Sequence, residues 1–334
     1  MNKKRWGALV IAGILLVGSL VTNAVSQSVF SQQSQSFEDL LMNSGDWEQV
    51  VIEEGTPTKS IALLTVDGVI QDTNAPSQLF ESVSYNHDQF IEQLEHIAES
   101  DDFKGAVISV NTPGGGVMES AQIHKKIQEV QKAGKPVYIS MGAMAASGGY
   151  YIAAPADKIF ASQETLTGSL GVIMQSINFE GLAEKYGVDF VTIKSGPYKD
   201  IMSSYREMTD EERNILQGMV DRSYDGFVKV ISEGRGMSEQ DVRRIADGRI
   251  YDGYQAKELN LIDEFGYEED AIQALKKDHN LGDAQVVSLS KGTSFASLFQ
   301  MGAKKMIGDD LGLVEAIQTF SNPNAPRLMY LYAE

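Results

Sequence analysis

The chain has 334 residues, room for one large α/β domain with appendages, and its 43% hydrophobic content is ample for a packed core. With 28 Lys and Arg against 46 Asp and Glu it carries a net charge of -18 and no basic stripe, which excludes nucleic acid as a partner. Cysteine is absent, so disulfides, thiolate nucleophiles and cysteine-held zinc are excluded as well.

Lys3, Lys4 and Arg5 precede an uncharged stretch from Trp6 to Val25, densest between Gly7 and Val21. A bilayer takes about 20 apolar residues and a signal-peptide core about 7–15, so this stretch lies between the two. It reads as a retained transmembrane anchor over residues 1–25, with cleavage after Ala24 as the alternative. Basic residues stay cytoplasmic, so everything after Val25 is expected across the cell membrane, in a single-pass arrangement with an extracytoplasmic domain. Residues 26–36, SQSVFSQQSQS, cannot bury enough surface to fold, and residues 26–58 read as a polar tether.

The body, residues 59–291, alternates short apolar runs with amphipathic segments. Ile61–Val66 is apolar on both faces, which predicts a doubly covered strand. Phe90, Ile91, Leu94 and Ile97 predict a helix over 86–100, and Ala106–Val110 the next strand. Ile123, Ile127 and Val130 line a helix that stops at Gly134, and Pro136–Met141 is a third strand. This β-α-β-α-β order implies parallel strands joined by right-handed crossover helices. Val188–Ile193 is strand-like, while Thr209 with Glu212 and Ser238 with Asp241 mark helix starts. Residues 292–334 form a C-terminal extension that ends in the apolar run Leu328–Tyr332. An exposed apolar tail is a liability, so it packs as a strand or subunit contact; a bolder reading has it mimic a substrate in an active site.

Chemistry in such a sheet belongs on the loops after the strand C-termini. Asn111-Thr112-Pro113-Gly114-Gly115-Gly116 follows the second strand, and its glycines leave N–H groups open to an anion or oxyanion. Met144-Ala145-Ala146-Ser147-Gly148-Gly149-Tyr150 follows the third, and only small neighbours flank the Ser147 hydroxyl. If Gly148 opens a helix, its N–H points toward the same centre. A serine nucleophile needs a base. His87, His96, His124 and His279 all lie in charge-rich, helix-like stretches and read as helix-surface residues. A lysine serves if desolvation lowers its pKa, and both Lys194 and Lys199 follow the strand-like run. Ser288-Leu289-Ser290-Lys291 fits S-x-x-K, but the S-D-N and K-T-G that accompany it elsewhere are missing.

Taken together, these segments resemble the bacterial signal peptide peptidase A family, serine–lysine peptidases of the Clp protease/crotonase-like fold, over roughly Lys59 to Leu275. The likeness rests on Val110–Gly115, Met144–Tyr150, Thr167–Ile173, Ser195–Lys199, and Gly248–Tyr251 through Leu261–Asp263, all in order. Asn260 stands where the family has glycine; Asn tolerates the left-handed conformation of a helix cap. The resemblance implies Ser147 as nucleophile, Lys199 rather than Lys194 as general base in apolar surroundings, and Ser169 orienting Lys199. It implies an oxyanion hole from Gly114 and Gly148; Met141, Met144 and Met202 flank the proposed site segments and are expected to form adaptable walls. It further implies signal peptides and other unstructured apolar peptides as substrates, a homo-oligomer of about eight copies enclosing the sites, and no metal or cofactor. A non-catalytic, membrane-tethered scaffold of the same fold is the alternative.

Overall fold

The computed structural model describes residues 47–72, 85–291 and 328–332. The segments read as anchor and tether up to residue 46, and residues 292–327 of the extension, lie outside the described residues. No helix among the described residues is long and apolar enough to cross a membrane. The chain divides into two compact units, residues 1–49 with 290–317 and residues 50–289 with 318–334. The second unit holds the site, and the rest concerns it.

Its strands are β1 (Trp47–Glu53), β2 (Thr56–Asp67), β3 (Phe103–Thr112), β4 (Gly114–Gly116), β5 (Val137–Ala146), β6 (Lys158–Ala161), β7 (Leu166–Gly168), β8 (Ile250–Tyr251), β9 (Glu264–Phe265), β10 (Ala284–Lys291) and β11 (Met329–Leu331). The helices are α1 (His87–Glu99), α2 (Val117–Lys132), α3 (Gly148–Ala153), α4 (Glu180–Lys185), α5 (Asp210–Arg235), α6 (Glu239–Ile245), α7 (Gly253–Glu258) and α8 (Glu268–Asp278). The main sheet runs β1-β10-β2-β3-β5-β6-β9, with β7 alongside the end of β5, and β11 pairs with β4 in a second small sheet. From β10 to β9 every pairing is parallel.

The expected α/β core is therefore present, and its strands are apolar on both faces because helices cover both. Phe90, Leu94 and Ile97 of α1 and Ile123, Ile127 and Val130 of α2 are the buried residues that set the helical period. Ala271, Ile272 and Leu275 of α8 pack with Ile61, Val107, Tyr138 and Val286. Both helix starts read from the sequence are capped: Thr209 and Glu212 form a capping box, and Ser238 accepts from the Asp241 N–H. The Val188–Ile193 run is not a strand: it joins no ladder, and Val191 and Ile193 are 88% and 97% exposed. An apolar run forms a strand only where it pairs with an edge, and this run pairs with none among the described residues.

One lock holds the segment after α7. Asn260 adopts the left-handed φ of 59° expected at that cap. Arg235, its side chain 7% exposed, donates to both Asp263 oxygens at 2.7 and 3.0 Å and to the Asn260 carbonyl at 3.1 Å, while Asp263 also accepts from the Ile159 N–H. Asp263→Ala leaves a buried guanidinium without its counter-ion, and is expected to cost about 3 kcal/mol in a urea unfolding titration.

Candidate active site

Ser147 sits between β5 and α3, and the turn there is tight. Its φ of 53° and ψ of -111° are unusual for a residue with a side chain and cost roughly 1–3 kcal/mol, offset by what surrounds it. The Ser147 N–H donates to the Gly168 carbonyl at 2.8 Å, and its own carbonyl accepts from Tyr151 at 2.9 Å. The residue is 1% exposed, and its Oγ has no hydrogen-bond partner among the described residues. A buried hydroxyl without a partner is costly, and such atoms concentrate where chemistry needs them free.

The glycine loop lies beside it. A Cβ on Gly114, whose φ is 104°, would collide with the Tyr330 carbonyl oxygen and lie 2.7 Å from the Gly148 N, so only glycine fits. A Cβ on Gly148 would lie 3.0 Å from both the Gly115 N and the same Tyr330 oxygen. Two N–H groups and one carbonyl oxygen thus meet next to Ser147.

Gly114 does not supply one of those donors. Its N–H is taken by Thr112 Oγ1 at 3.0 Å, a correction to the sequence reading. Ile70 bonds the Gly114 carbonyl and the Gly116 N–H on one side of β4, so the polar groups of Gly115 face the other side. There β11 runs antiparallel, with Tyr330 opposite Gly115. Tyr332 donates to the Pro113 carbonyl and Val117 to that of Leu328, and hydrogen-bonded pairs alternate in an antiparallel ladder, so Tyr330 and Gly115 are the bonded pair between them. The Gly115 N–H thus faces the Tyr330 carbonyl oxygen, and the Gly148 N lies on the same side of Gly114 as that oxygen. Three consecutive glycines look alike in sequence; only the ladder distinguishes them.

Ser169 follows Gly168, which pairs with Ala146 across β5 and β7, so one register brings both serines to the site. Ser169 is 8% exposed, has φ of 51°, and its N–H donates to the Arg249 carbonyl at 2.7 Å. It lines a cavity of about 500 Å³ that also takes in Ile173, Asp221, Asp247, Leu331 and Tyr332.

Lys199 is not brought there within the chain. It lies exposed in a turn, its N–H on the Gly196 carbonyl at 3.3 Å, so the apolar surroundings expected of it are absent among the described residues. Lys194 is paired with Asp200 at 2.6 Å. The turn is anchored by Arg206, which pairs with Asp200 at 2.8 Å and with Glu212 at the start of α5. Hydrogen bonds from Arg206 and from the Thr209 backbone hold the Glu212 carboxyl down at about 2 from an ordinary value near 4.5. A carboxyl lowered on folding stabilises above its unfolded value and loses that contribution as pH falls through the folded one. The turn that carries Lys199 is therefore expected to loosen between about pH 4.5 and 2, and backbone amide exchange over residues 194–208 checks this. Arg206→Met should produce the same loosening at neutral pH.

Of the three methionines, Met141 is buried, Met144 half-buried, and Met202 lines a separate cavity of about 680 Å³ with Arg206 and Met208. Of the histidines, His87, His96 and His124 lie on helices, but His87 is buried rather than on the surface, and His279 stands in the turn just after α8. His87 bonds Tyr85 and Gln122, and His124 packs its edge on Tyr151.

Residues 129–282 match the profile of peptidase family S49, and residues 79–168 that of Clp protease. The chain is 40% identical to a provisionally named signal peptide peptidase SppA of Enterococcus faecium, over 99% of both chains. It is 39% identical to a provisionally named protease of Methanocaldococcus jannaschii, covering 65% of this chain and 69% of that one. Against Protease 4 of Haemophilus influenzae it is 29% identical, over 84% of this chain and 48% of the other.

Proposed function

From the premise that the chain belongs to peptidase family S49 and is a serine peptidase, we propose that it is a membrane-anchored endopeptidase with a Ser147–Lys199 dyad. It degrades remnant signal peptides and other unstructured apolar peptides at the extracytoplasmic face of the cell membrane. The observation that carries this reading is Ser147 Oγ, buried and without a partner among the described residues, next to the Gly148 N and to the Gly115 N–H that faces the Tyr330 carbonyl oxygen.

Ser147 Oγ attacks the scissile carbonyl while the neutral Lys199 amine takes its proton, and an acyl-enzyme forms. Gly115 and Gly148 stabilise the oxyanion, each donor contributing about 2.7–4 kcal/mol. Ser169, one residue beyond the carbonyl that binds the Ser147 N–H, orients the amine as the third member of a triad does.

Lys199 reaches the site from a neighbouring copy. In support, it is exposed on its own chain, and the run before it exposes Val188, Phe190, Val191 and Ile193. A run of exposed apolar side chains of that kind calls for a partner surface. A contact in which each copy gives a lysine and receives one is head-to-tail, and such contacts close into rings; eight copies fit the family resemblance. Docking strips water from the amine, and the loss of water favours its neutral form.

The test is hydrolysis of an unstructured protein and a fluorogenic apolar peptide by the full-length chain in mild detergent, with its assembly measured by sedimentation. Membrane anchoring predicts that the chain stays in the membrane pellet after alkaline extraction. A chain that folds, assembles and cleaves nothing would favour the scaffold reading.

A further inference from the structure

Two buried side-chain hydroxyls have no hydrogen-bond partner among the described residues, those of Ser147 and Ser120. The second adjoins the site of the first. Ser120 is fully buried in the first turn of α2, just after the glycine loop. A Cβ on Gly148, the residue after the nucleophile, would lie 2.8 Å from Ser120 Oγ and 3.0 Å from the Gly115 N. The hydroxyl and that N–H group therefore flank Gly148 together. One continuous stretch, β4 running directly into α2, carries both Gly115 and Ser120. Glu119 fastens this turn by accepting from the Asp72 N–H at 3.3 Å. A buried hydroxyl without an acceptor weakens the fold, and alanine would fill most of the same space without that cost. The two unpartnered hydroxyls do not bond each other, so Ser120 does not orient the nucleophile.

We propose that Ser120 is a further catalytic residue, its hydroxyl a third oxyanion donor beside the Gly115 and Gly148 N–H groups, which gains its acceptor only when the reaction makes one. This rests on the serine-peptidase reading of the site. As Ser147 Oγ adds to the scissile carbonyl carbon, its proton passes to the Lys199 amine and the π electron pair moves onto the carbonyl oxygen. The Ser120 O–H donates to that oxygen and keeps its own proton. When the double bond re-forms, the C–N bond breaks, the leaving amine takes the proton from Lys199, and the Ser120 hydroxyl is again without an acceptor. A serine hydroxyl turns to suit its acceptor. A donor idle in the ground state and used in the transition state lowers the barrier without tightening substrate binding.

The experiment compares Ser120→Ala with the parent, both as full-length chains in mild detergent, on a fluorogenic apolar peptide. The variant should lose about a hundredfold in kcat with KM unchanged. A peptide boronate, whose adduct with Ser147 is a tetrahedral anion, should bind it about a hundredfold more weakly. The pH profile of kcat should keep its shape, because Lys199 is untouched. The urea midpoint should stay level or rise, since the hydroxyl has no bond to lose. Ser120→Cys, a weaker donor of similar size, should fall between the two in kcat. A Ser120→Ala kcat within about threefold of the parent's overturns the inference, far short of what one oxyanion donor supplies. A loss carried by KM alone, or unchanged boronate binding, overturns it too. If the alanine variant fails to fold, the cysteine variant decides, and a parental kcat there overturns the inference. In each of these outcomes the parent still cleaves and the peptidase reading survives. A parent that cleaves no peptide at all overturns the peptidase reading first.

Discussion

Ser147→Ala is expected to abolish hydrolysis of every peptide, with kcat falling by about 10⁶. The magnitude follows from the missing step: without the hydroxyl no acyl-enzyme forms, and the remaining N–H groups only polarise a carbonyl that water must attack. Stability separates this loss from misfolding. Ser147 Oγ has no hydrogen bond to lose, so the alanine variant should unfold within about 0.5 kcal/mol of the parent. Ser147→Gly, equally inactive, should be more stable by about 1 kcal/mol, because glycine accepts a φ of 53° without the strain that a Cβ imposes. Urea midpoints of the three proteins check the ranking. Activity that survived in Ser147→Ala would overturn the mechanism.

Lys199→Ala is expected to be as silent as Ser147→Ala, yet the two should rescue each other. If each site takes its serine from one copy and its lysine from the next, copies mixed at 1:1 and reassembled rebuild the dyad at about a quarter of the sites by random assembly. The parent's activity per chain sets the scale, and each variant reassembled alone supplies the zero. A site built within one chain gives no rescue, because every chain in the mixture lacks one partner. The expectation derives from two facts that conflict in an isolated chain. Ser147 is sealed and ready, whereas Lys199 stands in water on a turn tied down by Arg206. Substituting Val191 and Ile193 by Asp should lower the sedimentation coefficient and activity together, since those side chains are the most exposed of the apolar run.

Much of this protein was legible in its residues. The strands around Ile61–Val66, Ala106–Val110 and Pro136–Met141, the helices between them, and the caps at Thr209 and Ser238 are where the sequence placed them. Doubly covered strands need apolar side chains on both faces, and amphipathic helices repeat at 3.6 residues, so both leave a local record. Ser147 was marked by its small neighbours and Asn260 by its tolerance of positive φ, again properties of adjacent residues.

Other features depend on distant parts of the chain, and no local pattern records them. The three glycines after Pro113 are interchangeable until Ile70 takes one side of β4 and β11 the other, leaving Gly115 rather than Gly114 to face the carbonyl oxygen. The run Val188–Ile193 has the composition of a strand, yet strand formation needs an edge to pair with, and composition does not say whether the chain supplies it. The tail Leu328–Tyr332 was recognisable as apolar, but that Tyr330 enters a pocket between Tyr151 and Phe227 is a matter of register across more than a hundred residues of chain. The sequence by itself determined the fold class and the family. Tertiary structure decided which glycine N–H faces β11, how deeply Ser147 and Ser169 are buried and where Lys199 stands, because hydrogen-bond partners and burial are set by what packs opposite a residue, not by what precedes it.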